Sequence, residues 1–562
     1  MKKLINNPRN VVREMLEGAV DLNPDLLLLA NEDVVVRAGL PSASERPVAV
    51  LSGGGSGHEP AHAGYVGQGM LTAAIAGDVF TSPSVDAVLA AILAAAGPKG
   101  AVLIVKNYTG DRLNFGLAAE LATAQGIPTE VVVVADDAAL KDTVEPARRR
   151  GIAGTILVHK IAGAAAAAGA GLAEVAAEAR AAAASVVTMG VALGSCIVPA
   201  AGKPGFSLGE NEMELGLGIH GEQGVRRVPL EPANAIVDTI LETLVSDRNL
   251  KAGDRVALLV NGLGGTPPME LAIVARHAFQ RLRDQGIVIE RAWSGNFMTA
   301  LEMPGMSLSL LSVDDKRLEW LDAGANAPAW PGGGKVAPRK MLETAVAAEP
   351  AAPSTANGPL APALKSIALA VAAALEREEA MLTELDSRTG DGDLGISMAR
   401  GAAAIRGLAE QSWANPSTAF TAMGNALRRA IAGSSGPFYA VALLRAAREL
   451  DISSPENAAW ARAFVRAVAS VSELGGAKPG DRTMLDALQP AADAFSNTID
   501  AGQPLRAAWA AAVSAAEDGA KATAAMRPRL GRAAYLGDRA IGFQDAGAGA
   551  VVVWMKAILE SA

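Results

Sequence analysis

The chain has 562 residues, half of them hydrophobic, 4% aromatic and 19% charged; at roughly 150 residues per domain it is too long for one hydrophobic core. Its 50 Lys and Arg against 59 Asp and Glu leave a formal charge of −9, which carries no electrostatic signature of nucleic-acid binding. A single cysteine, Cys196, excludes an intramolecular disulfide and a multi-cysteine zinc site and suits a reducing compartment.

The opening MKKLINNPRN has two lysines and no following apolar run, so it does not read as a secretory signal and a cytoplasmic setting is expected. Val48–Leu51, Ala101–Val105, Val131–Val134 and Val256–Val260 are continuous apolar runs, the pattern of strands buried on both faces. Alanine-rich helical stretches lie between them. Residues 1–335 therefore read as an α/β domain, with two subdomains expected. The small-apolar stretch from Ile161 is broken by Glu174, Glu178 and Arg180 and reads as a soluble helix, with no membrane span.

Within this half the chemistry gathers at strand ends. Val48–Leu51 runs into Ser52-Gly53-Gly54-Gly55-Ser56-Gly57-His58-Glu59-Pro60, and glycines after a buried strand let backbone approach a ligand at the strand's carboxyl end. The alternative is a tight turn with His58 on the surface. No Gly-Lys-Ser/Thr follows, so this is not a Walker A loop. The next strand exits into Lys106-Asn107-Tyr108-Thr109-Gly110-Asp111, where an Asx turn is the competing reading of the acid. His220, in Gly216-Leu217-Gly218-Ile219-His220-Gly221-Glu222, is sterically accessible, and a neutral imidazole is a usable nucleophile near pH 7. His62, His159 and His277 read as packing or helix-surface residues, and Cys196 as a small buried one.

Pro331-Gly332-Gly333-Gly334 and the aperiodic EPAAPSTANGPLAP from Glu349 to Pro362 mark a linker, set at 336–362. From 363 to 562 the strand signal disappears. Eight segments, near 363–385, 398–411, 418–432, 438–451, 456–473, 484–496, 504–520 and 548–560, have helical apolar spacing, which predicts an all-α domain. Asp386, Asp391 and Asp393 fall within Asp386-Ser387-Arg388-Thr389-Gly390-Asp391-Gly392-Asp393, a set of hard oxygen donors suited to Mg²⁺, with a solvated acidic loop as the alternative. Gly433-Ser434-Ser435-Gly436-Pro437 precedes a helical pattern, with Pro437 expected at its first position, and amides at a helix start bind phosphate. Gly475–Met484 and Gly531–Ala548 add two further glycine-rich stretches.

With these residues in view the chain resembles the single-chain, ATP-dependent dihydroxyacetone kinases, a K-type domain followed by an L-type domain. GGGSGHEPAHAGYVGQGMLTAAIAGDVFTSPSVDAV, VKNYTGDRLNFG, GIAGTILVHKIAG and GLGIHGE carry the likeness in the first half; DGDLG, GSSGPFY, PGDRTMLDAL and GRAAYLGDR carry it in the second. The resemblance implies that His220 adds to the substrate ketone as a covalent hemiaminal, that Asp111 accepts the proton of the attacking hydroxyl, and that His58 bonds the carbonyl-derived oxygen. Gly55, Ser56, Gly57 and Lys106 would complete the ketose pocket. Asp386, Asp391 and Asp393 would hold Mg²⁺, and Leu394, Gly395, Ile396, Ser397, Ser434, Ser435, Gly475, Met484, Arg532, Asp545, Ala546 and Gly547 would surround ATP in an antiparallel eight-helix barrel. A cytoplasmic homodimer acting in glycerol metabolism is implied too.

Two positions depart from the family pattern: Leu394 stands where a threonine is usual, and Ala546 where a proline is. The resemblance also leaves other activities open: a kinase for a four-carbon ketose such as erythrulose, an FAD-AMP lyase forming cyclic FMN, a subunit fed by a phosphotransfer protein, and a non-catalytic ketose-binding regulator.

Overall fold

The computed structural model describes residues 2–222, 224–343, 358–450 and 455–561. The chain divides into two units, Met1–Met341 and Leu342–Ala562. Of the linker expected over 336–362, residues 344–357 lie outside those described.

Two six-stranded sheets build the first unit. β1 (Leu26–Leu28), β2 (Val34–Arg37), β3 (Ala49–Ser56), β4 (Ala73–Val79), β5 (Ala101–Lys106) and β6 (Thr129–Val134) form one, ordered β1-β2-β4-β3-β5-β6. Its last four strands are parallel and its first two pair antiparallel. β7 (Val186–Ala192), β8 (Glu212–Leu215), β9 (Arg226–Pro229), β10 (Arg255–Gly262), β11 (Val288–Gly295) and β12 (Gly305–Ser312) form the other, ordered β11-β10-β12-β7-β8-β9, in which β10 and β11 alone run parallel.

The helices are α1 (Val11–Asp21), α2 (Val85–Ala95), α3 (Thr109–Ala124), α4 (Thr155–Ala167), α5 (Leu172–Ser185), α6 (Ala233–Arg248), α7 (Pro268–Asp284) and α8 (Asp315–Asp322). Side-chain alternation along the strands sets the layering. On β5, Leu103 and Val105 pack with α2 and α3, while Val102 and Ile104 face a cluster built from α4 and α5. On β10, Ala257 and Leu259 face that same cluster, and Val256, Leu258 and Val260 pack with α6 and α7. The sheets thus share a central helical layer, in which α4 is buried on every side from Thr155 to Ala166.

The glycine stretch is not the tight turn of the alternative reading. Ser52 to Ser56 are the last five residues of β3 and pair in parallel with β4, with one bulge between Gly55 and Ser56. The physical reason is close approach: a Cβ on Gly53 would lie 2.4 Å from the Ile75 carbonyl oxygen, and one on Gly55 2.5 Å from the Thr81 nitrogen. The turn comes later, at His58.

The described residues of the second unit hold α9 (Ala361–Arg377), α10 (Glu379–Thr389), α11 (Leu394–Arg406), α12 (Pro416–Ala430), α13 (Ser435–Glu449), α14 (Asn457–Gly475), α15 (Leu485–Asp500), α16 (Leu505–Ala522) and α17 (Ala546–Ser561). The segment expected as one helix over 363–385 is two, broken at Glu378 (φ −92°, ψ 11°). Its apolar spacing hides the break because Leu375 and Leu382 join one cluster from either side. Pro437 lies at the third residue of α13, not the first. Neighbour packing closes a ring, α9-α11-α12-α13-α14-α15-α16-α17 and back to α9, with α10 set against α9, α11 and α17. The alanines at its contacts let the helices approach closely, as Gly519 does against Asp486, where a Cβ would lie 2.0 Å from a carbonyl oxygen.

Candidate functional site

The first unit brings His58, His220, Lys106 and Asp111 into one largely buried cluster. β3 delivers Gly55, Ser56 and Gly57 to the turn that carries His58, which is fully buried. Its Nδ1 lies 2.8 Å from the Thr299 carbonyl oxygen. A carbonyl only accepts, so Nδ1 carries the proton and the neutral ring presents a bare Nε2, which has no hydrogen-bond partner among the described residues. The Ser56 hydroxyl donates to the Gly77 carbonyl at 2.7 Å, and the Gly57 N–H donates to Glu59 at 2.9 Å, fixing the turn.

His220, on the loop after β8, meets His58 edge to face with ring centroids 5.0 Å apart. Tyr108 and Phe80 flank it at 4.5 and 5.5 Å, and Phe80 also stacks on His58 at 5.2 Å. Burial, with Lys106 and Arg150 nearby, pushes the His220 imidazole down to about 3. Burial, His220 and Lys106 hold His58 well below its ordinary value. Both rings are therefore neutral at physiological pH.

Lys106, at the end of β5, is fully buried and donates to the Gly53 carbonyl at 3.0 Å and to His62 Nε2 at 2.7 Å. His62 Nδ1 lies 3.4 Å from the Ser52 hydroxyl, which donates to the Ile104 carbonyl at 2.7 Å. His62, expected as a packing residue, is thus the acceptor that aims the ammonium. Asp111 occupies the first turn of α3, 3% exposed, and its Oδ1 has no hydrogen-bond partner among the described residues. Gly54 is where Lys106 and Asp111 converge: a Cβ there would lie 2.5 Å from Nζ and 3.5 Å from Asp111 Oδ2. Sequence reasoning missed Phe80, Tyr108, Thr299 and His62. His159 is buried in α4 and Cys196 is buried too, while His277 pairs with Asp238 at 2.9 Å.

In the second unit Asp386 ends α10, while Asp391 and Asp393 lie in the turn before α11. Their carboxylate oxygens come within 4.8 Å of one another. Asp386 Oδ2 accepts from the Asp393 and Leu394 amides at 2.9 and 3.3 Å, shaping the turn. Arg532 pairs with Asp391 and lies 3.9 Å from Asp393. Three hard oxygen donors whose charge already attracts a cation fit Mg²⁺.

The remaining residues expected around a nucleotide, Gly475 apart, stand at helix starts. Leu394 to Ser397 open α11, Ser434 and Ser435 open α13, Met484 precedes α15, and Asp545 to Gly547 open α17. These four are alternate helices of the ring. The starts of α17 and α15 approach each other, where a Cβ on Gly547 would lie 3.5 Å from Met484 Cβ, and the end of α14 meets the first turn of α13, where a Cβ on Gly475 would lie 2.9 Å from the Phe438 ring. Four helix N-termini beside an acidic cluster make a rim able to cradle phosphates next to a divalent cation. Asp545 caps α17 through the Ala548 N–H at 2.9 Å, and burial raises it to about 6. Asp486, which the sequence did not single out, pins the Gly480–Thr483 turn by accepting from both amides. Leu394 and Ala546 both pack into one apolar cluster, and Ile396 points outward, 47% exposed.

Residues 17–329 match the model of the Dak1 domain, and residues 388–560 match the DAK2 domain. The chain belongs to the dihydroxyacetone kinase family. It is 44% identical over 572 residues to the Bos taurus protein named triokinase/FMN cyclase, an alignment covering 100% of this chain and 98% of that one. It is 48% identical over 324 residues to the dihydroxyacetone-binding subunit of a PTS-dependent dihydroxyacetone kinase from Listeria innocua, covering 57% of this chain and 97% of the subunit. The crystal structure of the C. freundii dihydroxyacetone kinase in complex with AMP-PNP and Mg²⁺ matches with a TM-score of 0.64 at 36% identity, covering 100% of both chains. In this family member both domain types lie on one chain, an α/β domain of two sheets followed by a helical domain.

Proposed function

We propose that the chain is an ATP-dependent ketose kinase that phosphorylates dihydroxyacetone, a phosphotransferase acting on an alcohol. The observation that carries this reading is the pairing, on one chain, of the buried His58–His220–Lys106–Asp111 pocket with the Asp386–Asp391–Asp393 rim of helix starts. The Listeria relative, matching the first unit alone, is named PTS-dependent; the helical unit carried here on the same chain supports direct use of ATP.

The neutral imidazole of His220 adds its lone pair to the ketone carbon while the carbonyl π pair moves to oxygen. The oxygen takes up a proton and the ring gives up its N–H proton, leaving a hemiaminal. His58 Nε2 then accepts a hydrogen bond from the new hydroxyl. An alcohol such as glycerol has no carbonyl and cannot be held this way. Asp111 Oδ1, desolvated and unpartnered, takes the proton of the primary hydroxyl as it attacks the γ-phosphate. Lys106, held by Gly53 and His62, orients the sugar and balances Asp111. On the other unit the helix starts at Leu394, Ser434, Met484 and Asp545 orient the nucleotide, and Asp386, Asp391 and Asp393 would hold Mg²⁺. Mg²⁺, when bound, neutralises negative charge on the transferring phosphoryl group.

A second activity, cyclisation of FAD to cyclic FMN at the helical unit, is supported by the name of the bovine relative. The proposal includes a cytoplasmic homodimer, the compartment supported by the single cysteine. Rates measured with dihydroxyacetone, glyceraldehyde, erythrulose and glycerol plus Mg-ATP, and with FAD plus Mn²⁺, test the reading. Dihydroxyacetone should be turned over and glycerol should not; equal rates on glycerol would remove the carbonyl-addition mechanism.

A further inference from the structure

The loop that carries His220 is rich in glycine: Gly216 and Gly221 sit at φ +67° and +73°, with Gly218 between them. Left alone, such a segment samples many conformations and would not hold a nucleophile in register. One arginine ties down both ends. Arg150, in the segment after β6, donates from Nη2 to the Gly216 carbonyl at 2.7 Å and from Nε to Asp137 Oδ2 at 2.7 Å. Its Nη1 lies 3.6 Å from Glu222 Oε1, and Glu222 Oε2 accepts the backbone N–H of His220 at 2.8 Å.

The far end of this chain is rigid. Asp137 is wholly buried, accepts the Ala139 N–H at 3.0 Å, and its backbone bridges to Thr188 of β7. A continuous path therefore runs from the edge of β7 through Asp137, Arg150 and Glu222 to the main chain of His220. A guanidinium suits this place because its planar fork serves three acceptors at once, which a lysine ammonium on a flexible stem does not.

We infer that Arg150 is a positioning residue that holds the His220 loop in the geometry for attack on the ketone, acting through Gly216 and Glu222. The inference rests on His220 being the nucleophile. Arg150 touches neither that ring nor, in this reading, the sugar; it acts by fixing where the imidazole sits, and displacements near 1 Å cost about 10²-fold in rate. Its charge also helps keep His220 unprotonated.

The test is the rate of adduct formation with dihydroxyacetone, read by intact-protein mass spectrometry on the full chain, alongside steady-state kinetics with each substrate varied. Arg150→Met should slow adduct formation and lower kcat/KM for the ketose by about 10²-fold, with the KM for ATP unchanged, and Arg150→Lys should recover only a minor part. A wild-type adduct rate in Arg150→Met overturns the inference. If that variant does not accumulate folded, Glu222→Ala carries the test, because it leaves the Asp137–Arg150 pair in place. It should slow the adduct about tenfold through loss of the bond to the His220 amide, and a wild-type rate overturns the inference. Absence of any adduct on the wild-type chain, or its persistence in His220→Ala, overturns instead the assignment of His220, a separate outcome.

Discussion

The imidazoles of His58 and His220 meet edge to face, centroids 5.0 Å apart and planes at 65°, although one follows a strand of the first sheet and the other a strand of the second. Burial first of all disfavours charge on either ring, with Lys106 and Arg150 adding to it at His220, and His220 and Lys106 at His58. That desolvation turns a common surface titrant into a neutral nucleophile and a neutral hydrogen-bond acceptor.

The pH dependence of adduct formation follows with a definite sign. Protonation removes the lone pair that attacks the ketone, so adduct formation fails below the His220 pKa. With that pKa pushed down to about 3 by burial, Lys106 and Arg150, the yield of dihydroxyacetone adduct should stay level from about pH 8 to about pH 5. Mass spectrometry of samples quenched across that range checks it; a half-loss centred near the ordinary histidine value would show that the ring is not desolvated.

Gly54→Ala should cripple the sugar pocket without touching the nucleotide site. Its Cβ would fall 2.5 Å from Lys106 Nζ, at a backbone φ of +147° that side chains rarely adopt. The KM for dihydroxyacetone should rise by about tenfold or more as the ammonium is displaced, while binding of Mg-ATP, followed by calorimetry, should remain as in the wild type.

Asp391→Asn tests the other unit. Neutralising one of three clustered oxygen donors should weaken Mg-nucleotide binding by about tenfold or more, with the dihydroxyacetone adduct unchanged in mass spectra. Equal losses in both measurements would mean that the two sites are not separate.

Leu394→Thr should destabilise the chain. Leu394 is 8% exposed in the cluster it shares with Leu382 and Ala546, and replacing it costs about 1–2 kcal/mol in lost burial and a desolvated hydroxyl. A lowered melting temperature is expected; an unchanged one would mean that the side chain does not pack there.

Much of this arrangement was legible because burial leaves strong patterns. The four apolar runs from Val48 to Val260 are strands, and the change of period after residue 362 marks the helical unit. A tight turn stayed open as the alternative for Ser52 to Ser56 because glycines after a strand look alike whether they bend or pack flat; the carbonyl of Ile75 that forbids a Cβ on Gly53 belongs to another strand. The break at Glu378 left no trace, since Leu375 and Leu382 serve one cluster. His62, Thr299 and Arg150 were invisible as site residues for the same reason: each acts through a partner distant in sequence, Lys106, His58 or Glu222, and local pattern carries no record of such pairing. By contrast Asp386, Asp391 and Asp393 fall in one short stretch of chain, so their clustering could be read directly.

The central claim is direct phosphoryl transfer from ATP to a ketose held by His220. It is tested by incubating the purified chain with γ-labelled ATP, Mg²⁺ and dihydroxyacetone, with no other protein present, and following label into the sugar phosphate. Label should appear in dihydroxyacetone phosphate in step with ADP, and His220→Ala should lose that transfer. No labelled product from the wild-type chain until an external phosphorylated donor is added would contradict the account.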